Sequence, residues 1–199
     1  MDVRPAITTK EISAHDCIQI LLEEYRSLNA LLLFRLTALD RRLPASVGFM
    51  AAAVAATLSL PVESRSAVLV ITPSAVLWMA RTTIQHAKAK EDHLRRIAEI
   101  ELAVNELVGV ELLVFQNRHP NRADSVAGRS GTATVVATCV GAILLLALCL
   151  VVFNAESGPL PYRLYALYVL LIGLDVVLGS IRLSRYRYEK RLHIVEKPR

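Results

Sequence analysis

Twenty-two consecutive residues, Thr132 to Phe153 (TATVVATCVGAILLLALCLVVF), contain no charge, proline, asparagine or glutamine. At about 1.5 Å of rise per residue, a helix of that length spans roughly 33 Å, enough to cross a hydrocarbon core of about 30 Å. A soluble domain can bury one such helix, but it rarely carries three more apolar segments beside it. Here those segments are 45–60, 66–80 and 162–183. The chain is therefore read as integral to a membrane.

Hydrophobic residues make up 54% of the chain, yet 21% is charged, and the charges fall in blocks between the apolar runs. That segregation is the pattern of a small polytopic membrane protein. The first 15 residues are polar and include no apolar signal-peptide region, so the N-terminus is expected to be retained. Cys17, Cys139 and Cys149 have no metal-ligand spacing, and two of them lie in the apolar run, where a thiol serves as a small hydrophobe.

Ser13 with Asp16 three residues on resembles a capping box, and no proline or glycine follows until Leu43. Ile18, Leu22, Tyr25, Asn29, Leu32, Leu36, Leu39 and Leu43 step by four and three, forming the seam of a helix that packs lengthwise on another. Asn29 is the polar member of that seam. It either points slightly out of the contact or sets the register between helices.

Pro44 is expected to end or kink this helix. The runs 45–60 and 66–80, joined by a turn at Pro61, are short for spanning, and Pro73 interrupts the second. A hairpin in a thinned bilayer with Arg42 and Arg81 snorkelling, a hairpin extended through Ile84, and a re-entrant pair all fit, and the hairpin is favoured. Gly48, Ala52 and Ala56 form a small-residue stripe suited to close helix approach.

From Arg81 to Arg118 charged residues pair at four-residue spacing on one helical face. Ile97, Ile100, Val104, Leu107 and Val114 form the other face, and Glu111 falls in that seam as a wetted-edge residue or a buried carboxylate. Pro120 is expected to end this helix near Arg118, and 119–131 reads as a linker. A turn at 154–161 leads to the last apolar run, whose Tyr162, Tyr165 and Tyr168 suggest an interfacial aromatic belt. The order of elements suggests a coarse duplication, with Leu31-Leu-Leu-Phe-Arg matching Leu112-Leu-Val-Phe-Gln.

Lysine and arginine orient the whole. Residues 1–43, 81–130 and 182–199 hold six, eight and seven of them, 21 of the 23 in the chain. The positive-inside rule places both termini and the central charged helix in the cytoplasm and requires an even number of spans. The fold class is thus all-α, with four transmembrane helices in two hairpins plus two long cytoplasmic amphipathic helices. The boundaries are 1–43 for the N-terminal helix, 44–81 for the first hairpin and 82–118 for the second amphipathic helix. The linker 119–131, the second hairpin 132–183 and a basic cytoplasmic tail at 184–199 complete the chain.

Asp175 is the foremost candidate for chemistry. A carboxylate deep in a span costs on the order of 3 kcal/mol unless it faces protein or water. Gly179 and Arg182 lie on its face, so Arg182 is expected to fold back over Gly179 toward it, with Thr134 and Thr138 of the third span as hydrogen-bond donors. This polar cluster is either a packing clamp or an ion site. His86 and His93 read as solvated helix residues with no metal shell, and no cofactor, metal or catalytic motif is evident. The basic tail suits anionic lipid headgroups better than nucleic acid, and an enzyme is the class least supported.

The segments Glu24-Tyr-Arg-Ser-Leu with Arg35, and Leu94-Arg-Arg-Ile-Ala-Glu-Ile-Glu with Asn105, resemble small uncharacterised bacterial multi-pass membrane proteins. Those proteins pair a cytosolic EYxxL…R helix with an apolar hairpin and an RIAxIE-type helix, and the likeness covers roughly residues 20–118. The resemblance implies a prokaryotic inner membrane and attaches no activity to any residue. The functional expectation is a non-catalytic, homo-oligomeric module whose cytoplasmic helices pack as a coiled coil and assemble or sense a partner. The alternatives are an oligomeric pore or membrane-permeabilising effector and, behind it, a small transporter.

Overall fold

The computed structural model describes residues 13–116, 128–156 and 158–186. These form four helices and no strand: α1 (Ala14–Ser59), α2 (Val62–Val108), α3 (Gly128–Glu156) and α4 (Pro159–Ser184). All four are long and apolar enough to cross a membrane, as a multi-pass membrane protein requires. The expected tail beyond Tyr186 and residues 1–12 lie outside the described residues, as does most of the expected linker. Within 119–131, the described part begins at Gly128 and is already helical.

The helix expected to end or kink at Pro44 instead continues through it, and α1 runs unbroken for 46 residues, about 70 Å. Ser13 caps it, its Oγ accepting the Asp16 amide at 3.1 Å. Proline removes one helical hydrogen bond, and at Pro44 the ring lies on an exposed face where no neighbouring helix crowds it. Pro73 is buried inside α2, and there the missing bond is replaced. The Leu69 carbonyl, which the residue-73 amide would ordinarily reach, accepts the Tyr165 hydroxyl at 2.7 Å. The Val70 carbonyl accepts that of Tyr168 at 3.4 Å. Two of the three tyrosines read as an interfacial belt therefore serve α2, and Tyr165 is buried.

Continuity also answers the length question. The stretch 62–80 of α2 rises about 28 Å and 44–60 of α1 about 25 Å, each close to a hydrocarbon thickness. Neither run is a separate short helix, because α1 and α2 each carry on past the apolar part as one rod. We call the charged continuation, 14–43 with 81–108, the arm.

Contacts fix how the helices lie. α1 and α2 are joined by a short turn at Leu60 and Pro61, and Glu24 meets Arg96 while Tyr25 meets Glu101, partners at similar distances from that turn, so the two helices are antiparallel along the arm. Between α2 and α4 the partners are Leu69 with Tyr165, Ser74 with Tyr168, Arg81 with Asp175 and Asp92 with Tyr186. That near-constant offset makes the two helices parallel and in register over about six turns of α2. Arg65, just past the first turn, pairs with Glu156 just before the second, so both turns lie at one end of the molecule.

The core lies among the apolar parts, where Leu69, Val76, Ala142, Leu145, Cys149 and Tyr165 are buried together and Phe153 stacks on Tyr165. Outward-facing Ile71, Leu144, Val151, Leu164 and Leu170 are more than half exposed, the surface a bilayer would cover. Of the small-residue stripe only Ala56 is partly buried within the chain. Gly48 and Ala52 are exposed, and nothing lies within 4 Å of where a Gly48 Cβ would stand. α1 instead buries Ser46, Ala53 and Thr57.

α2 ends at Val108, ten residues before the expected stop, because Gly109 takes a left-handed conformation (φ 77°) that reverses the chain. Residues 111–114, read as helical, are not. The proposed duplicate segments accordingly differ: Leu31 to Arg35 is helical, whereas Leu112 to Gln116 is not.

Candidate functional site

After Gly109 the chain folds back along α2 and is held by two α2 side chains one turn apart. The Asn105 side-chain oxygen accepts the Leu112 and Leu113 amides, both at 2.9 Å, while its nitrogen donates to the Leu113 carbonyl at 2.7 Å. Glu101, fully buried, accepts the Gln116 amide on both oxygens at 2.9 and 3.1 Å. Tyr25 of α1 donates its hydroxyl to the same carboxylate at 3.4 Å. One turn back toward the membrane part, Arg96 donates to both oxygens of Glu24 at 2.8 and 3.0 Å.

Residues from the two segments thus meet in one place: Glu24 and Tyr25 from one, and Arg96, Glu101 and Asn105 from the other, while Arg35 lies apart, near His86. Their chemistry is that of a latch. A buried carboxylate and a buried amide hold backbone groups that no helix satisfies. Glu111, the sequence candidate in this region, is exposed and outside the helix, so it belongs to no helical seam. Gly109, inside the apolar pattern, is the stop that takes Glu111 out of the helix. Asn29 is half-buried on α1, as a seam position requires.

A second polar group lies between the latch and the apolar part. Lys90 and Glu91 are buried, and Arg95 donates to Glu91 at 2.6 Å. Burial lowers the Lys90 pKa, opposed by the charges of Asp40 and Glu91. His86, read as solvated, is half-buried. Its pKa is pushed down first by burial and then by Arg42 and Arg35. His86 Nδ1 and Arg35 Nε are buried without a hydrogen-bond partner among the described residues.

The third group is the predicted intramembrane cluster, and its membership changes. Arg81 of α2, not Arg182, holds Asp175: Nε and Nη2 donate to the two carboxylate oxygens at 2.8 and 2.7 Å. Arg182 is exposed on the same helix and makes no ion pair with Asp175. Gly179 is not a bed for Arg182 but a close-approach point, where a Cβ would stand 3.1 Å from Ile84 of α2. Thr138 is buried and its hydroxyl has no partner among the described residues. Thr134 is half-buried, and neither threonine bonds Asp175. One turn further along α4, Ser180 meets Cys139 of α3 at 3.1 Å. Below it, Lys88 sits 4.5 Å from the centre of the Tyr186 ring.

Depth explains the exchange of partners. Arg81 lies about 28 Å from the Pro61 turn and Asp175 about 22 Å from the Leu160 end, both near the arm end of the spans. Two parallel helices in register bring them level.

Comparison with protein-family models, curated proteins and solved structures gives no match. The functional reading therefore rests on this geometry.

Proposed function

We propose that the chain is a non-catalytic, multi-pass protein of the bacterial inner membrane, with both termini and the arm in the cytoplasm. In this reading the arm mediates self-assembly or senses a partner, and the rods α1 and α2 carry that state into the spans. Two transmembrane hairpins, α1 with α2 and α3 with α4, present their turns to the outside. The skew of lysine and arginine toward the arm end supports this orientation.

The observation that carries the reading is apolar surface where lipid would not cover it. On the arm part of α1, Ile20, Leu31, Leu33 and Phe34 are 45–72% exposed. Phe34 lies ten residues before Pro44, about 15 Å beyond the apolar part. Exposed apolar groups clustered on an aqueous helix mark an interface, and a second copy of the chain is the partner we assign. Native mass measurement in mild detergent tests this. Wild type should run as a discrete oligomer that a Leu33→Glu, Phe34→Glu variant reduces to a smaller species. A monomeric wild type would remove the proposal.

One observation favours the second reading, an oligomeric pore. The Arg81 and Asp175 side chains are 59% and 37% exposed on the outside of the bundle, an awkward place for charge unless headgroups, water or another copy covers it. Ion flux in liposomes that responds to Asp175→Asn would favour the pore over the scaffold.

A further inference from the structure

A cleft of about 440 Å³ opens between α1 and α2 where the arm joins the apolar part. Its walls divide by chemistry. Arg41, Arg42 and Ser46 lie at the arm end, and Phe49, Ala75 and Trp78 line the part that runs toward the spans. Neither Arg41 nor Arg42 has an ion-pair partner among the described residues, in contrast to Arg65, Arg81, Arg95 and Arg96, which do. Ser46 is 4% exposed, lines the cleft and makes no side-chain hydrogen bond to another described residue. Trp78, 69% exposed, sits on the other wall.

We propose that this cleft is a binding site for one anionic phospholipid of the surrounding leaflet. The two guanidiniums take the phosphate, Ser46 donates its hydroxyl to a headgroup or ester oxygen, and one acyl chain lies between Phe49 and Trp78. Three features select that occupant. Two uncompensated positive charges call for an anion, and arginine presents its donors in a fork that fits phosphate oxygens. The apolar remainder of the cleft gives a soluble anion nothing to bury and an acyl chain everything. Arg41 and Arg42 stand three and two residues before Pro44, at the end of the apolar stretch where lipid phosphates lie. The site rests on the membrane placement of the helices and not on the assembly of the arm.

The test uses the full-length protein purified in mild detergent, exchanged with equimolar phosphatidylglycerol and phosphatidylcholine of identical acyl chains. Native mass spectrometry reads the bound lipid. Wild type should retain phosphatidylglycerol about tenfold over phosphatidylcholine, and Arg41→Gln with Arg42→Gln should bring that ratio close to one. Ala75→Phe, which fills the apolar end and leaves both charges, should lower retention of both lipids. Glycerol phosphate, the headgroup without chains, should not be retained. Equal retention of the two lipids by wild type, an unchanged ratio in the arginine variant, or retention of glycerol phosphate alone would each overturn the site. The wild-type comparison stands even where a variant fails to fold. A protein extracted by alkaline carbonate would overturn the membrane reading itself, whereas an integral protein with no lipid preference overturns only the cleft.

Discussion

Tyr165 on α4 donates its hydroxyl to the Leu69 carbonyl on α2, the acceptor that Pro73 leaves without a helical amide. In an apolar surrounding an unpaired carbonyl is expensive, so one side chain from a neighbouring helix makes a buried proline tolerable. Tyr165→Phe should therefore destabilise the protein by about 1–3 kcal/mol. Pro73→Ala restores the amide and should remove most of that penalty, so the two substitutions should be strongly non-additive in a thermal or denaturant double-mutant cycle. Additive effects would separate the tyrosine from the proline.

The latch predicts a local effect. Glu101→Leu removes the acceptor for the Gln116 amide and the Tyr25 hydroxyl, a loss of about 2 kcal/mol for bonds to a charged group. Asn105→Ala should act on the same segment through Leu112 and Leu113. Both variants should speed proteolytic cleavage within 109–116 while leaving the spans folded. Cleavage no faster than in wild type would show that the segment is held by other contacts.

His86 lies five residues past Arg81, outside the apolar part of α2. Its folded pKa lies below the usual value of about 6.5, because burial and then Arg42 and Arg35 disfavour the imidazolium. The unfolded chain thus binds the proton more readily. Stability from this group is complete above pH 6.5, falls as pH drops below it and levels off beneath the folded pKa. Melting temperature should decline between pH 7 and 5, and His86→Gln should flatten that part of the curve. Superimposable profiles would contradict this.

The Arg81–Asp175 pair joins two parallel helices at matched depth. Asp175→Asn and Arg81→Gln should each lower thermal stability, and the double variant should be no worse than the poorer single one. In the scaffold reading, ion flux through reconstituted liposomes stays at background in all four proteins. Flux that changes with residue 175 would transfer support to the pore.

Apolar runs and charge blocks were enough to find four helices of spanning length, because both depend on composition over many residues. Tyr25, Leu32 and the half-buried Ile18, Leu22, Asn29 and Leu36 of the α1 seam were legible for the same reason, whereas Leu43 is exposed. What escaped depended on single residues acting at a distance. Pro44 and Pro73 were weighed as local breaks, since nothing near either in the chain announces Tyr165. Asp175 calls for a partner, and along its own helix the nearest cation is Arg182, whereas Arg81 stands on α2. Arg81 became visible only once α2 and α4 lay parallel. Glu101 and Asn105 are not legible as a latch, and Glu111 reads as helical, because Gly109 lies inside a periodic apolar pattern that masks the stop.

The account depends most on the arm and the two turns being on opposite sides of one bilayer. Single cysteines at Ser27, Glu106, Glu63 and Gly158, introduced after replacement of Cys17, Cys139 and Cys149, can be probed with a membrane-impermeant maleimide on intact cells stripped of their outer envelope. Positions 63 and 158 should label at once, and positions 27 and 106 only after lysis. Labelling of 27 or 106 from outside, or protection of 63 and 158, would contradict the topology and with it the cytoplasmic arm.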